Sequence, residues 1–205
     1  MTKIDFNEIM QLLSDKSFQD PRTGNLFFPV YIYTYPPAEE YEVREKIEQA
    51  VKNLERPSNF LNTLSINIYH ELIHFLKSET FMRRPLFDQM LEKEKNEPHG
   101  AFNWVKGQIP NFINHFKKKV ENHFEDADKS KAYLILYGFG SIFPYLRASD
   151  LIKQTESLIK DFKVLVFFPG KYEDSYYSLF KKLNDENTYR ANHLNSLLSS
   201  NNLIE

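Results

Sequence analysis

The chain has 205 residues, enough for one sizeable domain with a buried core, and its formal net charge of -2 excludes recruitment to nucleic acid or acidic membranes by bulk charge. It contains no cysteine, which excludes disulfides, thiolate catalysis and cysteine-based zinc sites, so any metal has to use histidine and carboxylates. The opening MTKIDFNEIM is amphipathic and acidic, unlike a secretory or transit signal, and the longest apolar runs fall short of the roughly 20 residues a membrane span needs. A cytoplasmic protein that does not enter membranes is the expectation.

In chain order, Phe6, Ile9, Met10 and Leu13 recur at helical spacing before Pro21 and Gly24 break the pattern. LFFPVYIYTY at 26–35 reads as the first strand, its pairing starting at or after Pro29 because proline donates no ladder hydrogen bond. Beyond Pro36-Pro37, Val43, Ile47, Val51 and Leu54 form the apolar stripe of a helix that Glu39 and Glu40 favour at its N-terminus. LSINIY at about 64–69 reads as a second strand, so strand, helix and strand form a crossover.

Residues 78–130 read as a helical insertion, with Pro110 expected to start or kink a helix carrying Phe112, Phe116, Val120 and Phe124 on one face. Tyr133 to Tyr137 and Val164 to Phe168 are too continuously apolar for a sheet with one wet face and read as central, parallel strands. The first stops at Gly138 and Gly140, the second at Pro169-Gly170. Between them SDLIKQTESLIKDF predicts an amphipathic helix burying Leu151, Ile152, Leu158 and Ile159, with Ser149 or Asp150 as its cap. A short helix is expected around SYYSLFKKL, and a polar tail from about residue 195.

His70-Glu71-Leu72-Ile73-His74 matches H-E-x-x-H. On a helix this spacing sets two imidazoles one turn apart, able to share a zinc, with the glutamate as general base for a bound water. The later histidine of the extended pattern is missing, and a helix start with exposed histidines is the favoured reading. A nucleotide site meets an obstacle in the first turn, Tyr35-Pro36-Pro37-Ala38-Glu39-Glu40, where two prolines lack N–H donors and two carboxylates repel phosphate. No G-x-x-x-x-G-K-[ST] is present, and Gly138-Phe139-Gly140 is a lone GxG. Lys117-Lys118-Lys119 reads as a solvated helix face rather than a phosphate contact.

Several separated motifs occur in one order: Gly138 and Gly140, Phe143-Pro144-Tyr145-Leu146-Arg147, Phe168-Pro169-Gly170-Lys171-Tyr172, Leu179-Phe180, and Tyr189-Arg190-Ala191. With FFPVYIYTYPPAEEYEVR they resemble BrxB, a small component of the BREX bacteriophage-exclusion systems of bacteria, over about residues 27–191. The resemblance implies a role in phage defence beside an alkaline-phosphatase-like protein, a large ATPase and a methyltransferase. It implies no established enzymatic activity, and no cofactor is expected.

The expectation is therefore one α/β domain over residues 1–205, with a mostly parallel, Rossmann-like or P-loop-like sheet of four or five strands that lacks a phosphate-binding loop. Its expected function is that of a non-catalytic adaptor binding other BREX proteins. The partner-binding candidates are Gly138, Gly140, Arg147, Pro169, Gly170, Lys171, Tyr172, Tyr189 and Arg190. The alternatives are a zinc-dependent hydrolase using His70 and His74 with Glu71 as base, and a cryptic nucleotide- or DNA-binding module.

Overall fold

The computed structural model describes residues 6–19, 29–97, 99–158, 162–173, 176–179, 183–185 and 191–201. Among the described residues two helices come first, α1 (Phe6–Ser14) and α2 (Lys16–Gln19), and β1 (Val30–Tyr35) is the next element. Strand β1 begins directly after Pro29, which lacks a donor but whose carbonyl accepts from Val164 N at 2.9 Å. Next come α3 (Glu40–Leu54), β2 (Asn62–Asn67) and α4 (Ile68–Ser78). A two-residue hairpin, β3 (Thr80–Phe81) and β4 (Arg84–Pro85), leads into α5 (Leu86–Asn96) and α6 (Gly100–Phe124). The second half holds β5 (Ala132–Tyr137), α7 (Phe139–Ile142), α8 (Ala148–Thr155), β6 (Lys163–Glu173), β7 (Tyr176–Leu179), β8 (Leu183–Asp185), β9 (Asn192–His193) and α9 (Leu194–Asn201).

The main sheet runs in the order β2-β5-β6-β1-β9, every adjacent pair parallel. The two most apolar runs, β5 and β6, take its middle, as their composition requires. The first two strands of the chain are not neighbours. Strand β2 carries Asn62 and Ser65, both only half-buried, so it lies at the edge and leaves the centre to strands that bury both faces.

Because strand side chains alternate, the sheet has two chemically distinct faces. One presents Val30, Ile32, Leu134, Leu136, Val164, Val166 and Phe168 to an apolar layer from α4, α6 and α8. Phe112, Phe116, Val120 and Phe124 of α6 belong to that layer, on the face expected from their spacing. The other face is tyrosine-rich. Tyr31, Tyr33, Tyr35, Tyr133 and Tyr137 pack with Ile135, Leu165 and Phe167 against Ile9 and Leu13 of α1, Val43 and Ile47 of α3, and Leu194 of α9. A buried phenol needs a partner, and the Tyr133 hydroxyl donates to the Leu13 carbonyl at 3.0 Å.

Several local expectations are corrected. Ile68 and Tyr69 belong to α4, not to the second strand, because Asn67 caps the helix by accepting from His70 N at 3.1 Å. Pro110 sits inside α6 rather than at its start. It is exposed, as is Lys106, whose carbonyl the missing N–H would have served, so water can take over that acceptor. Ser149 and Asp150 lie within the first turn of α8, Arg147 occupies the cap position, and the helix stops at Thr155. Leu151 and Ile152 are buried as expected and Leu158 half-buried, while Ile159 falls outside the described residues.

Pro169-Gly170 does not end its strand. Strand β6 pairs with β1 as far as Pro169, opposite Tyr35, and then from Gly170 to Glu173 turns to β7, with which it is antiparallel. The proline lies where the ladder changes partner, the place where a missing donor costs least. The segment expected as a short helix around SYYSLFKKL instead supplies β7 and β8, an antiparallel extension. Its Tyr176-Tyr177 pair has strand propensity, and the edge of β6 beyond Pro169 offers backbone groups with which a neighbouring strand can pair.

At the other end of the sheet, residues 194–201 form α9, where a polar tail is expected. Buried Asn195 accepts from Thr34 N and donates to Thr34 O, both at 2.9 Å, so one side chain pairs β1 as a further strand would. Among the described residues no helix is long and apolar enough to cross a membrane.

Replacing Phe116, fully buried at 0% exposure, by alanine is expected to cost about 3–5 kcal/mol. Urea unfolding checks this, with a midpoint close to the parent chain excluding a core role for α6.

Candidate functional site

The carboxyl ends of parallel strands gather at one rim, where α/β domains place ligands. On this rim β1 ends at Tyr35, β2 at Asn67 and β5 at Tyr137. The Tyr35 hydroxyl donates to Glu40 Oε2, and Arg44 Nε donates to Glu40 Oε1 at 2.8 Å. Arg44 Nη2 also reaches Ser141 Oγ at 3.0 Å, tying α3 to α7 across the strand ends. Burial first, and then the Glu40 carboxylate, push the Tyr35 hydroxyl well above the usual phenol range. Burial with Glu39 and Glu8 raises Tyr33 to about 12. A nucleotide phosphate directed at the start of α3 would meet Glu40, a carboxylate already engaged by Tyr35 and Arg44.

Gly138 makes the turn after β5 with φ +84°, a conformation that a side chain strains. A Cβ there would also stand 2.5 Å from Asn67 Oδ1, the atom that caps α4. The chain then runs through Gly140 in α7 and the cis peptide Phe143-Pro144 to Tyr145 and exposed Arg147. Tyr145 forms part of the wall of a mostly apolar cleft of about 490 Å³, with Tyr69, His70, Leu76, Phe87 and Met90 around it. Pro169 and Gly170 are buried, Lys171 is half-buried, and Tyr172 pairs with Tyr177. Tyr189 and Arg190 fall outside the described residues.

His70-Glu71-x-x-His74 does lie on a helix, α4, but His70 is not brought together with Glu71 and His74. His70 and His74 are exposed, and His70 lines the cleft beside Tyr145. Glu71 is buried and faces α6, where its Oε1 accepts from His115 Nε2 at 2.9 Å and its Oε2 from Lys119 Nζ at 2.6 Å. Burial alone would raise the Glu71 carboxyl, but the hydrogen bonds and charges of Lys119 and His115 outweigh it and hold the group below its ordinary value. A general base must be able to take a proton, and this carboxylate has both oxygens occupied and its basicity reduced.

The family described as "BREX protein BrxB" matches residues 64–194, well over half of the chain. The chain belongs to the BrxB family. Curated relatives agree. A "BREX protein BrxB" of Bacillus cereus (strain H3081.97) is 23% identical over 185 residues, covering 90% of this chain and 93% of its own length. One of Escherichia coli O9:H4 (strain HS) is 27% identical over 169 residues, 78% of this chain and 75% of its own. No solved structure matches.

The part of this BrxB-family chain that carries the match includes the turn after β5, the whole of β6 and the Glu71 contacts. Sequence reading missed His115 and the role of Lys119. His115 stands 44 residues from Glu71 in a helix read for its phenylalanines, and Lys119 belongs to a lysine run whose spacing suggests solvent. The available signal was that His115 and Lys119 are one turn apart and so share a helix face.

Because the folded Glu71 is more acidic than the unfolded one, its ion pair adds stability above the ordinary carboxylate value of 4.5, and that stability is lost as pH falls through the lower folded value. Glu71→Gln should therefore cost about 1–3 kcal/mol at neutral pH, converging on the parent below that range. Melting temperature against pH checks this, and a gap independent of pH would refute it. Gly138→Ala should cost about 1–2 kcal/mol in backbone strain, with a further loss of about 1 kcal/mol if Asn67 is displaced from its cap. Chemical denaturation of Gly138→Ala beside Asn67→Ala separates the two contributions.

Proposed function

We propose that the chain acts in BREX phage defence as a non-catalytic adaptor that binds other BREX components through the segments following β5 and along the outer part of β6. Membership of the BrxB family supplies the system. The observation that supports this surface is the turn after β5, where exposed Arg147 follows Tyr145, itself part of the wall of a mostly apolar cleft. An apolar hollow lined by Tyr69, Phe87 and Tyr145, with an exposed arginine two residues further along the same turn, suits a protein partner, for which aromatic and arginine contacts carry most of the binding energy.

Two features argue against the rival readings. The zinc-hydrolase reading needs Glu71 as base, and Glu71 is engaged by His115 and Lys119. The nucleotide reading needs an anion cradle at the start of α3, and Glu40 stands there. Lys171 and Tyr172 on β6, with Gly138 and Gly140 shaping the turn after β5, complete the proposed surface. Buried Pro169 and Gly170 serve it by redirecting the strand, and Tyr189 and Arg190 are assigned to it from the sequence motif alone.

The double substitution Arg147→Ala with Tyr172→Ala is expected to leave the circular dichroism spectrum and melting temperature unchanged while abolishing co-purification of BREX components from a host carrying the neighbouring genes. Undiminished co-purification by the folded double variant would sink this surface.

A further inference from the structure

We propose that Glu71, His74 and His115 form a binding site for a zinc-class divalent cation that pins α4 to α6, a different site from the one the H-E-x-x-H spacing suggests. One ligand atom from each of the three residues lies within 4.8 Å of the other two, in a grouping that does not include His70. Two imidazole nitrogens and a carboxylate oxygen are the donor set that zinc takes at about 2.0–2.2 Å. A closed tetrahedral site brings such atoms nearer together, and exposed His74 can close the gap by turning its ring without disturbing the core.

The buried side is already arranged. Lys119 holds Glu71 Oε2 at 2.6 Å, which directs Oε1 at His115 Nε2, 2.9 Å away. Metal-bound carboxylates are ordinarily oriented by such an outer partner. The cation takes the place of the proton between Nε2 and Oε1: the Nε2–H bond breaks, the imidazole carries its one proton on Nδ1 instead, and metal–nitrogen and metal–oxygen bonds form. His74 supplies the third ligand and water the fourth, on the exposed side. The nearby Lys119 ammonium opposes the incoming charge, so affinity falls below that of a closed, all-anionic zinc centre.

Glu71 is here a ligand and not a base. The site is a clamp between two helices whose cation faces solvent at one position.

The test is titration of the purified full chain with zinc, and with cobalt(II) as a spectroscopic probe. One equivalent should bind with visible cobalt bands. His74→Gln and His115→Gln should each weaken binding by at least about 100-fold, more than the loss of an outer-shell partner, while His70→Gln binds as the parent does. On the unsubstituted chain, one equivalent of zinc should shift the imidazole resonances of His74 and His115 and leave those of His70 in place, which keeps the test valid if a variant fails to fold. Lack of stoichiometric binding, binding that survives in folded His115→Gln, or dependence on His70 would overturn the proposal.

Discussion

Burial of both faces of the central strands β5 and β6 is the constraint on which the rest of the structure depends. A strand covered on each side can carry no unpaired backbone group and few polar side chains. All six residues of β5 are buried, and they separate into an aliphatic set for α4, α6 and α8 and a tyrosine-rich set for α1, α3 and α9. Side-chain period therefore gives the helices on the two sides chemically different surfaces to cover. The tyrosine face adds a condition, since its hydroxyls must reach polar partners beyond the core, as Tyr133 does at Leu13 and Tyr35 at Glu40.

That second condition shapes the rim. With Glu40 committed to Tyr35 and Arg44, and Arg44 to Ser141, the strand ends are fastened together by polar contacts within the chain. The position where phosphate-binding α/β domains hold their ligand is here filled by a carboxylate and its own cation. Outside this network the turn after β5 continues past Tyr145 to Arg147, and α4 begins from the same corner through the Asn67 cap. Gly138 is the hinge between these features, because its missing Cβ makes room for the Asn67 side chain.

Much of this was legible in the chain. Continuous apolar runs located the central strands, and three- and four-residue spacing located α1, α3 and the apolar face of α6. Other features misled for physical reasons. Aromatic residues in SYYSLF satisfy helical and strand patterns alike, and the choice fell to the unpaired edge of β6. Pro169-Gly170 resembles a stop, but a proline at a change of ladder partner is compatible with a continuing strand. Ile68 and Tyr69 have strand composition, and the Asn67 side chain turned them into helix. Asn195 looks like tail polarity and instead pairs the Thr34 backbone.

The sequence by itself determined the α/β class, the two central strands, the lack of cysteine chemistry and the resemblance to the BrxB family, because composition, local period and motif order are properties of neighbouring residues. Only the tertiary structure decided that β2 lies at an edge, that β6 turns to β7, and that Glu71 meets His115 and Lys119 while His70 lines the cleft beside Tyr145. Those outcomes depend on which distant elements compete for the same buried surface. No spacing within a single segment carries that information.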